Sequence, residues 1–246
     1  MAKPQAKRQW IRKTLTLVMF LLFPITINFF SPYIIIDGAS RGIVNGSLVV
    51  FGLLFLSSLF LGRLWCSWAC PGAGLQEACF SINSKPARGG RFDWIKWGIW
   101  IPWIGIIAAM AILAGGYRTV DLLYLTESGI SVDEPVKYAL YYTVVGIVVA
   151  LSLTAGRRSF CHYGCWMAPF MIAGRSVRNA LKLPALRLKA DAEKCAGCKK
   201  CTSNCPMSLD VHGMVKRGIM ENSECILCGT CIDGCPKGVI SYSFSK

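Results

Sequence analysis

The sequence predicts an α-helical membrane domain of four transmembrane helices, followed by a small α+β domain. Three observations support this fold class. Hydrophobic residues make up 54% of the 246 residues and charged residues only 16%, whereas a soluble domain carries about 25% charged residues. Long apolar stretches fill the first two thirds of the chain, and most of the thirteen cysteines occur at regular spacings. We expect a membrane domain over residues 1–174, an interfacial linker over 175–190 and a cysteine-rich domain over 191–246.

Four apolar stretches have the length of transmembrane helices. Each is close to the roughly 20 residues that an α-helix needs to cross the hydrocarbon layer. Helices are expected rather than open strands, because strands would leave backbone polar groups unpaired in lipid. The protein is therefore predicted to be embedded in membrane lipid, with its spans at residues 15–36, 43–61, 95–116 and 136–156.

Basic residues predict the orientation of these spans. Lysine and arginine are concentrated before the first span, between the second and third, and after the fourth, whereas the other two loops hold only Arg41, Arg118 and Lys137. Because basic residues favour the cytoplasmic side of short loops, both termini are predicted to be cytoplasmic. We expect a multi-pass protein of the cytoplasmic (inner) membrane, with its C-terminal domain in the cytoplasm.

The membrane part contains an internal repeat. Cys66 and Cys70 recur 95 residues later as Cys161 and Cys165, each pair spaced C-x3-C and each following two predicted spans. An even number of spans per repeat places both cysteine pairs on one side. The sequence therefore predicts two parallel hairpin repeats, related by an axis along the membrane normal, with their cysteines at the cytoplasmic boundary.

The C-terminal domain contains a second repeat, with a period of 30 residues. Both copies have the spacing C-x2-C-x2-C-x3-C-P, which matches bacterial two-cluster ferredoxins. Zinc sites instead separate pairs of cysteines by long spacers. Because the fourth cysteine of such a motif ligates the other cluster, we assign one [4Fe–4S] cluster to Cys195, Cys198, Cys201 and Cys235, and the other to Cys225, Cys228, Cys231 and Cys205.

Three interpretations remain open for Cys66, Cys70, Cys161 and Cys165. Cysteines four apart on a helix share a face, so the two pairs could supply four thiolates to a third iron–sulfur or metal site. A redox-active dithiol pair and buried structural thiols are the alternatives. His162 is a candidate extra ligand or proton carrier, or simply an interfacial residue. Cys79 has no partner in any of these schemes.

These features together resemble the NapH-type membrane ferredoxins and the related membrane parts of NosR and CcoG proteins. The resemblance rests on the four spans, the two C-x3-C motifs and the two-cluster tail, and covers nearly the whole chain. It implies electron transfer between a quinone or quinol and a partner redox protein or reductase. The second motif departs from the family, since Trp166 stands where a proline is usual and Pro169 is the nearest proline.

Other functions are less well supported. The net charge of +14 follows the membrane topology, and no nucleic-acid-binding signature accompanies it. The predicted spans contain no histidine to hold haem, and no nucleotide-binding motif is present. We expect an electron-transfer subunit of a quinol dehydrogenase-like complex, or alternatively an assembly factor that supplies electrons to a metalloenzyme. Five tryptophans are candidates to line a quinone pocket: Trp65, Trp68, Trp97, Trp100 and Trp103.

Overall fold

The first predicted span is a broken helix. The computed structural model describes residues 4–127 and 129–246, and the chain is mostly helical. Helix α1 covers Pro4–Leu21, and the chain then bends by 60°. A short helix α2, a 3-10 turn over Ile27–Phe30 and helix α3 follow, with α2 at Phe23–Thr26 and α3 at Pro32–Ser40. Both α2 and α3 have a proline in their first turn, where the missing backbone N–H costs least.

Carbonyl groups at this break are paired by other parts of the chain. The Trp166 indole donates to Phe30 O at 2.8 Å, and the Trp103 indole donates to Pro32 O at 3.1 Å. The hydroxyl of Ser131 donates to Ile25 O at 2.5 Å. Irregular backbone at membrane depth is tolerated only where such partners replace the missing helical hydrogen bonds. Hydrogen bonds from distant parts of the chain therefore stabilise the break.

The second span is short. Strand β1 covers Ile43–Asn45 and helix α4 covers Gly46–Leu61, where the Asn45 side chain caps the helix by accepting from Leu48 N at 2.9 Å. With 16 residues, α4 falls below the roughly 20 residues of a full span. Two helices that carry the first cysteine pair follow, α5 at Trp65–Trp68 and α6 at Pro71–Ala78.

The third and fourth spans have the predicted length. Helix α7 covers Ile95–Leu113, strand β2 covers Thr119–Asp121 and pairs in parallel with β1, and helix α8 covers Pro135–Ala155. Within the described residues, the helical segments Gly90–Leu113 and Pro135–Ala155 are long and apolar enough to cross a membrane, and the bent first segment could form a third crossing. The second cysteine pair lies around two further helices, α9 at Ser159–Tyr163 and α10 at Ala168–Ala180.

The helices that follow the two cysteine pairs pack inside the membrane domain. Helix α6 packs against α1, and α10 packs against α4. Glycines allow both contacts: a Cβ on Gly74 would lie 2.2 Å from Thr16 O, and a Cβ on Gly174 would lie 1.9 Å from Ser58 Oγ. Thr16 and Ser58 lie within α1 and α4. Each C-x3-C motif therefore belongs to a re-entrant segment rather than to a loop at the surface.

The C-terminal domain is a small α+β unit. Strand β3 (Ala185–Ala190) pairs antiparallel with β4 (Ile240–Ser245), with Ala185 opposite Ser245 and Ala190 opposite Ile240. Between them lie three short helices, α11 at Lys200–Ser203, α12 at Val211–Lys216 and α13 at Thr230–Asp233. The predicted linker over residues 175–190 is not a separate element, because its first part completes α10 and its last part is β3.

Candidate metal centres

The two ferredoxin-type motifs have the same loop conformation. In the first motif Gly197 and Lys199 have φ of 71° and 56°, and in the second Leu227 and Gly229, 30 residues later, have φ of 53° and 75°. Glycine occupies one of the two left-handed positions in each loop, but a different one. Lys199 and Leu227 therefore adopt a conformation that costs free energy for residues with a Cβ. The shape of the loop is fixed even where the residue does not favour it, as in a loop folded around a ligand.

The fourth cysteine of the first motif lies beside the first three cysteines of the second motif. Cys205, Cys225, Cys228 and Cys231 line one cavity. Burial, together with the neighbouring thiols of Cys228 and Cys225, raises the pKa of Cys205 to about 12. The structure thus brings together the four cysteines that the sequence assigns to one cluster.

The first motif lies at the outer surface of the domain. Cys198 is exposed, and Cys195, Cys201 and Cys235 are partly buried. Burial raises the pKa of the Cys201 thiol, and the nearby thiol of Cys235 contributes to the rise. In contrast to this exposed loop, Leu227 and Cys228 in the second motif are buried, and Leu227 contacts Gly62 at the end of α4.

The four cysteines of the membrane domain form one buried group. Cys70 lies within electrostatic range of Cys66, Cys161 and Cys165, and all four are at most 6% exposed. The Cys66 Sγ lies 3.8 Å from Met171 Sδ. We call these four residues the thiol quartet.

The thiol quartet lies beside the middle of helix α8. A cavity lined by Cys70, Cys161 and Cys165 is also lined by Val144 and Val148, which lie near the middle of the 21-residue helix α8. The sequence predicts both motifs at the cytoplasmic boundary. The chain segments before α6 and α10 bring the cysteines beside α8, and α6 then runs antiparallel to α1 while α10 runs parallel to α4.

Two arginines flank the quartet. Arg63 and Arg158 are fully buried, and both lie within electrostatic range of Cys161. Arg63 Nε, Arg63 Nη2 and Arg158 Nε have no hydrogen-bond partner. Buried donors without partners are costly, and here they lie beside four thiols that become anionic when they ligate a metal. The donor set therefore fits an anionic metal–thiolate group.

The two arginines also reach toward the second motif. Arg63 donates to the Glu224 carboxylate at 2.8 Å, and Glu224 directly precedes Cys225. Arg158 donates to Cys66 O at 2.7 Å and to the Glu77 carboxylate, and it lies within electrostatic range of Cys228. Two guanidinium groups, each paired with a carboxylate, thus lie between the quartet and the second motif.

His162 is not placed as a thiol-site ligand. Its Nδ1 lies 2.6 Å from Asp93 Oδ1 and its Nε2 lies 3.2 Å from Met207 O, so both ring nitrogens have partners. Asp93, His162 and Glu224 lie within 4.8 Å of one another. Glu224, however, is already neutralised by Arg63 and by Lys96 Nζ at 2.6 Å, which disfavours a metal ion.

Two of the five tryptophans predicted to line a quinone pocket pack against one phenylalanine, and Trp97 lines a polar cavity of about 440 Å³ with Asp93 and His162. Trp100 and Trp103 contact Phe170 at ring-centroid distances of 5.2 Å and 5.7 Å. The apolar cavity beside the quartet is instead lined by Trp166. Cys79 is buried but does not line that cavity.

Sequence reasoning missed the roles of Arg63 and Arg158. A signal is present in the sequence, because an arginine stands three residues before the first cysteine of each C-x3-C motif, at Arg63 and Arg158. Membrane topology alone also accounts for an arginine at the end of a span. Its burial depends on the re-entrant packing, which the pattern does not reveal.

Comparison with known proteins supports the iron–sulfur assignment. The chain matches the 4Fe–4S dicluster domain over residues 194–240. It matches a second 4Fe–4S binding domain twice, over residues 46–88 and 139–182, and each of these matches includes one C-x3-C motif.

Similar proteins occur in bacteria and archaea. YccM of Escherichia coli (strain K12), provisionally named an electron transport protein, is 24% identical over 87% of this chain and 60% of its own length. The nitrogen fixation protein FixG of Rhizobium meliloti (strain 1021) is 28% identical over 81% of this chain and 44% of its own length. The protein MJ0750 of Methanocaldococcus jannaschii is 25% identical over 97% of both chains. No solved structure matches the chain significantly.

The chain thus spans well under two thirds of FixG and slightly less than two thirds of YccM. The matched segments cover both groups of cysteines described above. The chain is thus similar to YccM and FixG, and it matches ferredoxin-type 4Fe–4S domains at both groups of cysteines.

Proposed function

We propose that the chain relays electrons across part of the cytoplasmic membrane, between a quinone or quinol and a partner redox protein. Two [4Fe–4S] clusters would be held by the two ferredoxin-type motifs, with Cys205 and Cys235 exchanged between them, and a third by the thiol quartet. The burial of Arg63 and Arg158 between the quartet and the second motif carries the proposal.

The three sites form a series from solvent to the membrane interior. The first motif is exposed at Cys198, the second is buried against α4, and the quartet lies beside the middle of α8. Bound clusters would supply one-electron chemistry at each position. The protein would hold them in sequence and keep water away from the inner two.

The charges around the inner sites suit this role. A cluster with four thiolates carries net negative charge, and burying it without compensation would be costly. Arg63 and Arg158 provide that compensation, and their own positions are fixed by Glu224 and Glu77. These carboxylates keep the guanidinium groups beside the quartet rather than in solvent.

Three features support the proposed membrane location. The helices Gly90–Leu113 and Pro135–Ala155 are long enough to cross. Large apolar side chains on these helices are exposed, among them Leu113 and Val136 at 81% and 77%. Basic residues beside the ferredoxin-type domain support cytoplasmic termini. YccM is provisionally named an electron transport protein, which agrees with the proposed relay.

Iron analysis tests the third site. We expect about twelve irons per anaerobically purified chain, and about eight if only the ferredoxin-type motifs hold clusters. Cys161→Ala should lower the content to about eight and leave the other two clusters in the EPR spectrum. Cys79→Ala is the matched control, because Cys79 is also buried but should not bind iron. Equal iron in the wild type and Cys161→Ala would overturn the third site.

Reduction by quinol tests the relay. A quinol analogue should reduce the clusters of the wild type in detergent, and Cys66→Ala should abolish that reduction while dithionite still reduces the two ferredoxin-type clusters. Quinol-linked turnover that survives Cys66→Ala would contradict the role of the quartet. Restoration of a partner metalloenzyme without any dependence on quinone would instead favour the assembly function.

A further inference from the structure

An apolar cavity of about 220 Å³ lies beside the break in the first span. It is separate from the cavity of the thiol quartet, but Phe23, Phe30, Val144 and Trp166 line both. Trp166 directly follows Cys165. The two cavities therefore share one wall, and that wall adjoins the thiol quartet.

We infer that this cavity binds the ring of a quinone taken up from the lipid. The inference rests on the proposed function for the choice of ligand, and it adds the place where that ligand binds. It replaces the tryptophans of α5 and α7 as the predicted pocket.

The backbone around the cavity supports a binding role. The 60° bend and the 3-10 turn Ile27–Phe30 form one side of it. Discontinuous helices at membrane depth are tolerated where they line a cavity, and they commonly form ligand sites there. The carbonyls of Ile25 and Phe30 are held by Ser131 and Trp166, so the cavity has fixed walls.

The opening of the cavity faces the surface that lipid would cover. Tyr33 and Leu140 line it and are 62% and 57% exposed. The volume lies below the roughly 300 Å³ at the lower end of pockets for drug-sized ligands. It suits a single ring, with a long apolar tail remaining in the lipid.

Polar groups lie at one side of the cavity. Lys137 lines it and donates to Asp133 and, at 3.4 Å, to Leu125 O, which leaves one of its three N–H groups for a ligand. Asn28 donates through its amide nitrogen to Leu125 O at 2.8 Å, so its side-chain oxygen can accept. A quinone offers acceptors and a quinol offers donors at opposite ends of one ring. A lipid acyl chain offers neither.

Photolabelling tests the cavity by binding rather than by turnover. The purified chain would be irradiated with an azidobenzoquinone that carries a short isoprenoid tail, and the labelled peptides would be identified by mass spectrometry. Label is expected in residues 23–33 and 131–144. Competition by decylubiquinone indicates a preference for benzoquinones, and competition by menadione a preference for naphthoquinones. If neither compound lowers the labelling, the probe occupies the cavity nonspecifically, as a lipid chain would, and the inference is overturned.

Leu140→Trp and Ile147→Trp form a matched pair. Both residues lie on α8 and are 57% and 50% exposed, but only Leu140 lines the cavity. Leu140→Trp should lower labelling at least about tenfold, equivalent to about 1.4 kcal/mol of binding free energy, and Ile147→Trp should leave it unchanged. Equal labelling of the two variants, at equal iron content, would overturn the inference.

The outcome separates the pocket from the relay. If quinol reduces the clusters but Leu140→Trp binds the probe as well as Ile147→Trp, the pocket is elsewhere and the relay stands. If the probe labels the predicted peptides competitively but quinol reduces none of the clusters, the pocket stands and the relay is wrong.

Discussion

The guanidinium of Arg63 donates a 2.8 Å hydrogen bond to the carboxylate of Glu224, and this contact joins the end of α4 to the second ferredoxin-type motif. Both side chains are almost completely buried. A buried ion pair of this kind is weak evidence for stability, because desolvation of both charges offsets their attraction. Its position between two cysteine groups instead suggests a role in setting their electrostatic environment.

Replacing Arg63 should change a redox potential. Reduction adds an electron to the group held by the quartet, and a neighbouring positive charge favours the reduced form. Arg63→Met should therefore lower the midpoint potential of the EPR signal that Cys161→Ala removes. Each 1.4 kcal/mol by which the lost charge disfavours the reduced form lowers the potential by about 60 mV for one electron.

Lys13→Met is the matched control for this potential. It removes the same charge, but Lys13 is exposed on α1, where solvent screens its effect. An anaerobic potentiometric titration followed by EPR would measure both variants. An equal shift in the two would show that net charge, rather than the buried position of Arg63, sets the potential.

The cysteine spacing predicted which thiols meet, but not where they lie. Short-range spacing fixes which sulfurs can surround one cluster, and the structure brings Cys205 to Cys225 as expected. The depth of the quartet depends instead on α6 packing along α1 and α10 along α4. Those contacts need glycine at positions 74 and 174, and one glycine in a sequence does not identify the helix that it meets.

The break in the first span had a signal in the sequence. Hydropathy predicts one continuous span over residues 15–36, but Pro24 and Pro32 interrupt it, and proline usually bends or ends a helix. The partner groups could not be predicted, because Ser131 and Trp166 lie more than 100 residues away in the chain.

The exchange of the fourth cysteines can be tested by combining substitutions. If Cys205 shares a cluster with Cys225, then Cys205→Ala with Cys225→Ala should remove about four irons, no more than either single change. Cys205→Ala with Cys195→Ala should remove about eight, because two clusters are then affected. Iron and sulfide analysis with EPR would measure the losses. The opposite pattern would mean that each motif holds its own cluster.

The contact between α10 and α4 should tolerate no side chain at position 174. A Cβ there would lie 1.9 Å from Ser58 Oγ and 2.7 Å from Phe55 O, and overpacking of this kind typically costs about 1–3 kcal/mol. Gly174→Ala should therefore lower the thermal midpoint in detergent. Gly52 lies on the partner helix α4, where a Cβ would have open space around it. Gly52→Ala should therefore be neutral or slightly stabilising. Similar midpoints for the two variants would show that α10 does not lie against α4 at this glycine.

Glu221 should couple the stability of the docked ferredoxin-type domain to pH. Burial alone would raise the pKa of this carboxyl, but the hydrogen bond and charge of Arg175, with Asn179 and Arg178, lower it to about 2. Because the folded pKa is lower than the unfolded value of about 4.5, the ionised carboxylate stabilises the folded state above the unfolded pKa. That contribution is lost as the pH falls toward 2.

Glu221→Gln should remove this pH dependence. The difference in denaturant midpoint between the wild type and Glu221→Gln should be largest at neutral pH and should shrink as the pH falls from about 5 to about 3. Glu193→Gln is the control, since Glu193 is exposed on the same domain and its loss should leave the midpoint unchanged. The difference between the wild type and Glu221→Gln could instead stay constant over this range. The stabilising effect of Glu221 would then not depend on its charge, and its ion pairs with α10 would not contribute to docking.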